Sequence, residues 1–598
     1  MDLTGSHARA GFASVPSLAR LARPEIGRFA AAAGCMALAA AATAGYAWLV
    51  GPVVRALFGG GPLPIAGGAG AGVLRDLSAR LGSADPLLLG GLIVAAAALK
   101  GAAFFGEASL AGEAGQRILL RLRARMYAGL LASNPLDPIA RNRGDLVSRF
   151  TTDAAAVESA IAGGLVAALG AALQIVALAG LALALDPVLG LVGLVAFPPA
   201  ALAIVRIGRA LRERRRAVHA DAAEVAGVVE ETAAGLPAVR LFGAEGLLGR
   251  RFEDRSAQSL ASAVSAIRLR ALSSPLNEIL GAAALAATLW YAKGRIVQGA
   301  LAPDSFLSFF TALFLLYQPV KALGQAMHAV QSGLAALERL EPLLAGVASD
   351  PKAEAAPPLA PKRVCLSAAR AGYAEGKDVL KGVDLEIEAG ARVAVVGPSG
   401  AGKTTLLNAL QGFLPLRGGA LLVDGAPVSL DPCTARRLFA PVPQEPHLFD
   451  DTIRVNVLCG RSSASPAQVE SACRAAGVLE FARDLPLGLD APVGRGGGAL
   501  SVGQRQRVCL ARALVSLAPV LLLDEVTASL DGATEKALTG SLDRFLEGRT
   551  VLAVTHRLST ARWADRVVLL DNGVVRAAGP SASLLDSDPR LVALFGGQ

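Results

Sequence analysis

Hydrophobic and polar positions divide the chain into two unlike halves. In the first, long uncharged runs alternate with Arg-rich stretches. In the second, short apolar runs of strand length alternate with helical patterns and glycine-rich turns. Phe29 to Val54 and Ile161 to Leu185 each exceed the roughly 20 residues that carry a helix across a bilayer. Val188 to Val205 is close to that length, and Pro86 to Phe105 has a single charged interruption, Lys100. Ile279 to Ala292 and Phe306 to Val320 are shorter and bounded by charges, so by themselves they also read as buried helices of a soluble domain.

Composition agrees with a membrane half. Hydrophobic residues make up 53% of the 598 and charged residues 18%, too apolar for a soluble chain of this length. The net charge of +9 is a topology signal. Arg117 to Arg149 holds seven Arg and Arg206 to Arg270 holds twelve, whereas the Asp186-Pro187 connection has no basic residue. The positive-inside rule then puts both long loops and both termini in the cytoplasm. A nucleic-acid partner is not expected, because aromatics for stacking are only 5% of the chain. The first apolar stretch begins late and is too long for a cleavable signal peptide. The six cysteines show no C-x-x-C pairing, and five lie in the second half, so they read as reduced core residues. Ala345 to Pro361, rich in Ala and Pro, reads as a linker.

The chemistry is concentrated in the second half. Gly397-Pro398-Ser399-Gly400-Ala401-Gly402-Lys403-Thr404-Thr405 follows the apolar run Ala391 to Val396, in the G-x-x-x-x-G-K-[ST] pattern of a phosphate loop. Glycines let backbone N–H groups crowd around phosphate oxygens, Lys403 reaches the terminal phosphates, and the Thr404 hydroxyl can ligate Mg²⁺. Val520 to Asp524 looks like a buried strand ending in two carboxylates, Asp524 to hold Mg²⁺ and Glu525 to polarise water. Gln444, the run Leu500-Ser501-Val502-Gly503-Gln504, Ser529-Leu530-Asp531 and His556 complete an ordered series.

That series over residues 364 to 580 resembles the ATP-binding cassette (ABC) family, whose Q-loop, signature, D-loop and H-loop occur in this order. The resemblance implies an α/β P-loop cassette behind an all-α membrane domain of six helices. The implied division is a cytoplasmic segment 1–28, a membrane domain 29–340, a linker 341–361 and a cassette 362–598. It implies ATP and Mg²⁺ as ligands, with Lys403, Gln444, Glu525 and His556 catalytic. Thr404, Gln444 and Asp524 are implied metal ligands. Tyr373, residues 397–405, Gln444, Ser501, Gly503, Gln504, Asp531 and His556 are implied to touch nucleotide, Tyr373 by stacking on adenine. Val502 stands where the family usually has Gly, and Val526 where Pro is usual. Each family site is shared between two cassettes, so one membrane half plus one cassette implies a half-transporter that pairs with a second subunit, most simply its own copy. Gly144 to Asp153 and Glu230 to Glu245 resemble the segments through which exporters couple cassettes to membrane helices.

Within the family, residues 274–282 and 315–323 resemble the bacterial lipid A exporter (MsbA-like) branch. Lys100, Arg149 and Lys321 fall where that branch carries basic residues around its inner vestibule. This implies export or flipping of a lipid-like, amphipathic substrate from the cytoplasmic leaflet of a bacterial inner membrane. A cation in an apolar span marks a functional site by default, but Glu107 lies one heptad from Lys100 and an internal ion pair is the alternative. Multidrug, peptide and thiol exporters share much of this pattern. An ATP-gated channel or regulatory membrane protein is the alternative of another class.

Overall fold

The computed structural model describes residues 15–58, 85–138, 142–191, 214, 217–218, 220–297, 303–345, 361–374, 376–525 and 549–595. The chain forms two compact units, Met1–Leu131 with Gly144–Val347, and Ala132–Arg143 with Ala348–Gln598.

The first unit is helical. Its long helices are α1 (Ile26–Phe58), α2 (Pro86–Ala132), α3 (Arg143–Leu185), α4 (Glu245–Val297) and α5 (Pro303–Ala345). Among the described residues, four helices are long and apolar enough to cross a membrane, within Pro16–Leu57, Leu87–Ala132, Arg143–Leu185 and Ser305–Ala345. The expected fourth span lies mostly outside the described residues. The expected fifth is part of α4, which is not among those four. Helices run well past their apolar cores because hydropathy marks only the lipid-facing stretch, while backbone hydrogen bonding continues through charged turns. Asp186 ends α3 as the Asp-Pro pair predicts. Its buried carboxylate accepts from the N–H groups of Val188 and Leu189, both at 2.9 Å, and so answers donors at the next helix start.

Pro52 interrupts α1 and deprives the Trp48 carbonyl of its helical donor. Ser308 of α5 repairs the break. Its buried hydroxyl donates to the Trp48 carbonyl at 3.0 Å and accepts from the Gly51 N–H at 2.8 Å. Ser308→Ala should therefore lower stability by about 1 kcal/mol, and Ser308→Thr should restore it. Thermal unfolding of the purified protein checks both. At the other end of α5, Arg339 pairs with the buried carboxylate of Asp153.

The second unit contains two sheets. A four-stranded antiparallel sheet has the order β2-β1-β4-β5, from β1 (Arg363–Ala371), β2 (Leu380–Glu388), β4 (Gly418–Val423) and β5 (Ala426–Val428). A six-stranded sheet has the order β10-β9-β3-β8-β7-β6, from β3 (Arg392–Val396), β6 (Phe439–Val442), β7 (Val520–Asp524), β8 (Thr550–Val554), β9 (Arg566–Asp571) and β10 (Val574–Pro580). From β9 to β6 every pairing is parallel, and only the edge strand β10 runs antiparallel. Such strands are covered on both faces, which is why β3, β7 and β8 are apolar almost without alternation. All six cysteines are unpaired; Cys473 and Cys509 are core residues, and burial pushes the Cys473 thiol up to about 12, but Cys35, Cys365 and Cys433 are half-buried and Cys459 is exposed, contrary to the core expectation.

The segment Ala132–Arg143 belongs to this second unit. Asn134 Nδ2 donates to the Phe413 carbonyl at 2.6 Å, and Leu136 packs against the core between the sheets. Gly144 to Asp153, which resemble a coupling segment of exporters, follow directly after it. Those residues begin α3 in the first unit, where Arg149 and Asp153 are engaged with Arg339. Two proline-containing pairs, Asn134-Pro135 and Asp137-Pro138, interrupt helix ahead of that point.

Candidate nucleotide site

Four adjacent parallel strands present their C-terminal ends along one edge, the place where open α/β sheets bind ligands. In spatial order β3 leads into the loop 397–402, β8 into His556, β7 into Asp524 and Glu525, and β6 into Gln444.

The loop after β3 is shaped by glycine. Gly397 packs so closely that a Cβ there would lie 2.0 Å from the Leu570 carbonyl oxygen. Gly400 and Gly402 adopt φ of +82° and +106°, which L side chains resist. Helix α6 (Lys403–Leu410) starts at Gly402 with no side-chain cap, whereas the helices begun by Asp431, Thr452, Ser465 and Ser501 are all capped by side-chain oxygens. The unanswered first-turn N–H groups of α6 fit a phosphate anion, and the helix dipole favours it.

Lys403 is buried, and its ammonium donates to the carbonyls of Gly397 at 2.8 Å and Pro398 at 2.9 Å. Burial holds its pKa below the ordinary lysine range, an effect that the charges of Glu525 and Asp524 partly offset. Asp524 moves the opposite way, raised first by burial and then by Glu525, with Lys403 opposing. A carboxyl whose folded pKa is raised destabilises the fold while ionised, so this contribution to the nucleotide-free protein improves as pH falls through that pKa. Asp524→Asn should accordingly raise the melting temperature of the nucleotide-free protein while abolishing its Mg²⁺-dependent shift with ATP. Thr404 and Asp524 line one cleft with Asn408 and Gln411, and this hydroxyl-plus-carboxylate set suits a hard cation that keeps waters and phosphate oxygens as its other ligands.

Glu525 turns sharply off the end of β7. Its φ of +49° is rare for a side-chain-bearing residue, and its N–H donates to Val554 at 3.0 Å. The turn directs its carboxylate between two of the expected residues. Gln444 Nε2 donates to Oε2 at 2.8 Å, and His556 Nε2 lies 3.2 Å from Oε1. With its amide nitrogen so used, Gln444 retains its carbonyl oxygen for a cation.

The signature stands apart from this edge. Ser501 caps helix α7 (Val502–Val515), accepting from the Gln504 N–H at 3.2 Å, while Gln504 Oε1 accepts from the Ser501 N–H at 2.8 Å. Val502 is 47% exposed in the first turn, so replacing the usual Gly meets no packing conflict there. Gly503 is the next residue of the same turn. Ser529, Asp531 and Val526 lie outside the described residues. Of the three candidate substrate residues, Lys100 makes no ion pair among the described residues, Lys321 is exposed on α5, and Arg149 is held by Asp145 at 2.8 Å and by the Arg339 carbonyl. Glu107 does not pair with Lys100. Its carboxylate lies beside Gly170 of α3.

One supporting element escaped the sequence reading. Asn572 and Gly573, at φ of +49° and +80°, turn β9 into β10. The Gly573 N–H donates to the Ala401 carbonyl of the phosphate loop at 3.0 Å, and a Cβ on Gly573 would lie 1.8 Å from the Val379 carbonyl oxygen. An Asn-Gly pair between two apolar runs was the available signal.

A glycine-shaped loop running into an uncapped helix, with a buried lysine beside a carboxylate-ended strand, is the arrangement of a P-loop nucleotide-binding domain. Comparison with known proteins extends this to the whole chain. The family described as "ABC transporter transmembrane region" matches residues 35–320, and that described as "ABC transporter" matches 380–528. An ATP-dependent lipid A-core flippase of Syntrophus aciditrophicus is 32% identical over 95% of this chain and 92% of its own length. One of Bordetella pertussis is 34% identical over 85% of this chain and 82% of its own. The structure of a bacterial Atm1-family ABC exporter with ATP bound is 25% identical, with a TM-score of 0.77 over 98% of this chain and 99% of that one. The chain belongs to the ABC transporter family, with membrane region and ATP-binding domain fused. It is an integral membrane protein of the exporter type that couples ATP hydrolysis to transport.

Proposed function

We propose that this protein is a homodimeric flippase or exporter that moves an anionic, lipid-like amphiphile out of the cytoplasmic leaflet of a bacterial inner membrane. Six membrane helices per subunit and alternating access belong to this reading. The observation that carries it is Lys100, a cation within the apolar helix α2 with no ion pair among the described residues. In a medium of low dielectric such a charge favours pairing with an anionic headgroup. Lys321, exposed on α5, is the second candidate contact. Arg149, already engaged by Asp145 and Arg339, is the least available. Similarity to the lipid A-core flippases over most of their length supports the same substrate class.

In the cassette, Lys403 and the α6 N–H groups would bind the phosphates, Thr404, Asp524 and the Gln444 carbonyl would hold Mg²⁺, and Tyr373 would stack on adenine. Mg²⁺, when bound, neutralises charge on the phosphates. Glu525, oriented by Gln444 and His556, would accept the proton of the attacking water. Ser501 and Gly503 are exposed or half-buried and make no hydrogen bond to residues 397–405 of their own chain. They, with Asp531, would complete the site of the partner subunit.

The test is ATP hydrolysis by the purified protein reconstituted in lipid. Lys100→Ala should reduce stimulation by anionic amphiphiles about tenfold while leaving stimulation by neutral hydrophobic compounds within about twofold, since one desolvated charge contact is worth about 1.5–3 kcal/mol. Equal loss for both classes would refute the anionic-substrate reading. ATP-gated conductance without substrate-stimulated hydrolysis would favour a channel.

A further inference from the structure

Tyr373 sits on a short excursion between β1 and β2 whose two ends are closed by the Val379 N–H donating to the Ala371 carbonyl at 2.8 Å. Half of the tyrosine is exposed, and no packing of its ring against a hydrophobic core is present among the described residues. An exposed tyrosine on a loop samples several orientations, and ordering it on ligand binding costs conformational entropy. Two side chains from elsewhere reduce that freedom. Asn408 Nδ2 donates to the Tyr373 hydroxyl oxygen at 2.9 Å. Arg417 Nη2 donates to the Gly372 carbonyl at 2.9 Å and Nη1 to the Asp378 carboxylate at 3.2 Å, gripping the excursion on both sides of the tyrosine. The Arg417 backbone is itself fixed, its N–H donating to the Arg370 carbonyl at 2.7 Å.

The origin of Asn408 gives this arrangement its meaning. Asn408 lies one helical turn beyond Thr404 on α6 and lines the same cleft as Thr404 and Asp524. The helix that presents N–H groups to phosphate therefore also sets the position of the aromatic ring. We propose that Asn408 and Arg417 are positioning residues for nucleotide binding, holding Tyr373 as a preformed platform at a set distance from the phosphate loop so that it receives the adenine base. The proposal rests on the reading that Tyr373 stacks on adenine. Neither residue holds phosphate in this scheme, so both act chiefly on the base-dependent part of affinity.

The full-length protein is titrated calorimetrically with ATP and with inorganic tripolyphosphate, a probe that has the phosphates but no base. Asn408→Ala should weaken ATP binding about fivefold, the worth of roughly 1 kcal/mol of lost hydrogen bonding, and weaken tripolyphosphate by clearly less. Tyr373→Phe, which keeps the ring and loses the hydroxyl, should do the same. The double variant should be no worse than either single one, because both remove one contact. Arg417→Met should weaken ATP selectively as well. Additive losses, equal losses for ATP and tripolyphosphate, or wild-type ATP affinity in Asn408→Ala and Tyr373→Phe would each overturn the proposal. Tyr373→Ala separates the two failures. If it leaves ATP affinity intact, the stacking reading itself falls; if it weakens ATP binding while the two milder variants do not, only the positioning role falls.

Discussion

In Glu525→Gln, ATP hydrolysis should fall by roughly 10²–10⁴-fold, the usual worth of a positioned general base, while Mg-ATP binding survives. Gln keeps the size of the side chain and an oxygen that can accept from Gln444, whose amide now donates to Glu525 at 2.8 Å. It cannot take a proton from water. Thr404, Asp524 and the Gln444 carbonyl remain to hold the cation, and Lys403 remains to hold phosphate. In the proposed dimer, ATP then stays between the Lys403 loop of one subunit and Ser501 of the other, and the paired cassettes remain closed. ATP can shift that equilibrium only because the closed state offers it contacts that the open state lacks. Distances between spin labels on the two cassettes, measured after the exposed Cys459 is replaced by Ser, should be short in the variant with Mg-ATP. Retention of the wide nucleotide-free separation would sink the shared-site mechanism.

Lys403→Ala should reduce hydrolysis at least about 10²-fold, comparable to removing one charge-stabilising donor from an active site, and should weaken ATP binding as well. This distinguishes it from Glu525→Gln. Lys403 serves twice. Without nucleotide it bridges the Gly397 and Pro398 carbonyls and so holds the loop in shape. With nucleotide, its ammonium can exchange those neutral acceptors for anionic oxygens, a stronger pairing in a buried setting. Burial depresses the Lys403 pKa and raises that of Asp524, and a bound anion with its cation would favour the charged form of each. Thermal shifts with ATP and phosphate release together check this. Near wild-type turnover in Lys403→Ala would refute the site assignment.

How much was legible in the chain varies with the range of the interaction. The phosphate loop is nine consecutive residues whose conformational needs are local, so glycine spacing and the flanking apolar runs sufficed to read it. The Walker B carboxylates were readable for the same reason, since a strand buried on both faces advertises itself by unbroken hydrophobicity. Gln444 and His556 were reached only through the ordered family series, because nothing in a lone glutamine or histidine announces a partner 81 or 31 residues away along the chain. The strand order β3-β8-β7-β6 brings them to Glu525.

The amino-acid sequence by itself determined that apolar helices precede an ATP-hydrolysing cassette, which residues form the phosphate loop, and where four of the apolar stretches lie. These follow from composition, period and short-range backbone constraints. Tertiary structure alone decided that Glu525 adopts a left-handed conformation between Gln444 and His556, that Arg149 is engaged with Asp145 and Arg339 while Lys100 is not paired with Glu107, and that Ser308 mends the break at Pro52. It also decided that Ala132–Arg143, rather than the following ten residues, belongs to the cassette unit. Each of these turns on which of several chemically able partners comes within about 3 Å. A hydrogen bond or ion pair is specific in space but nearly silent in sequence, since many donors and acceptors of the same kind are present and only packing selects among them.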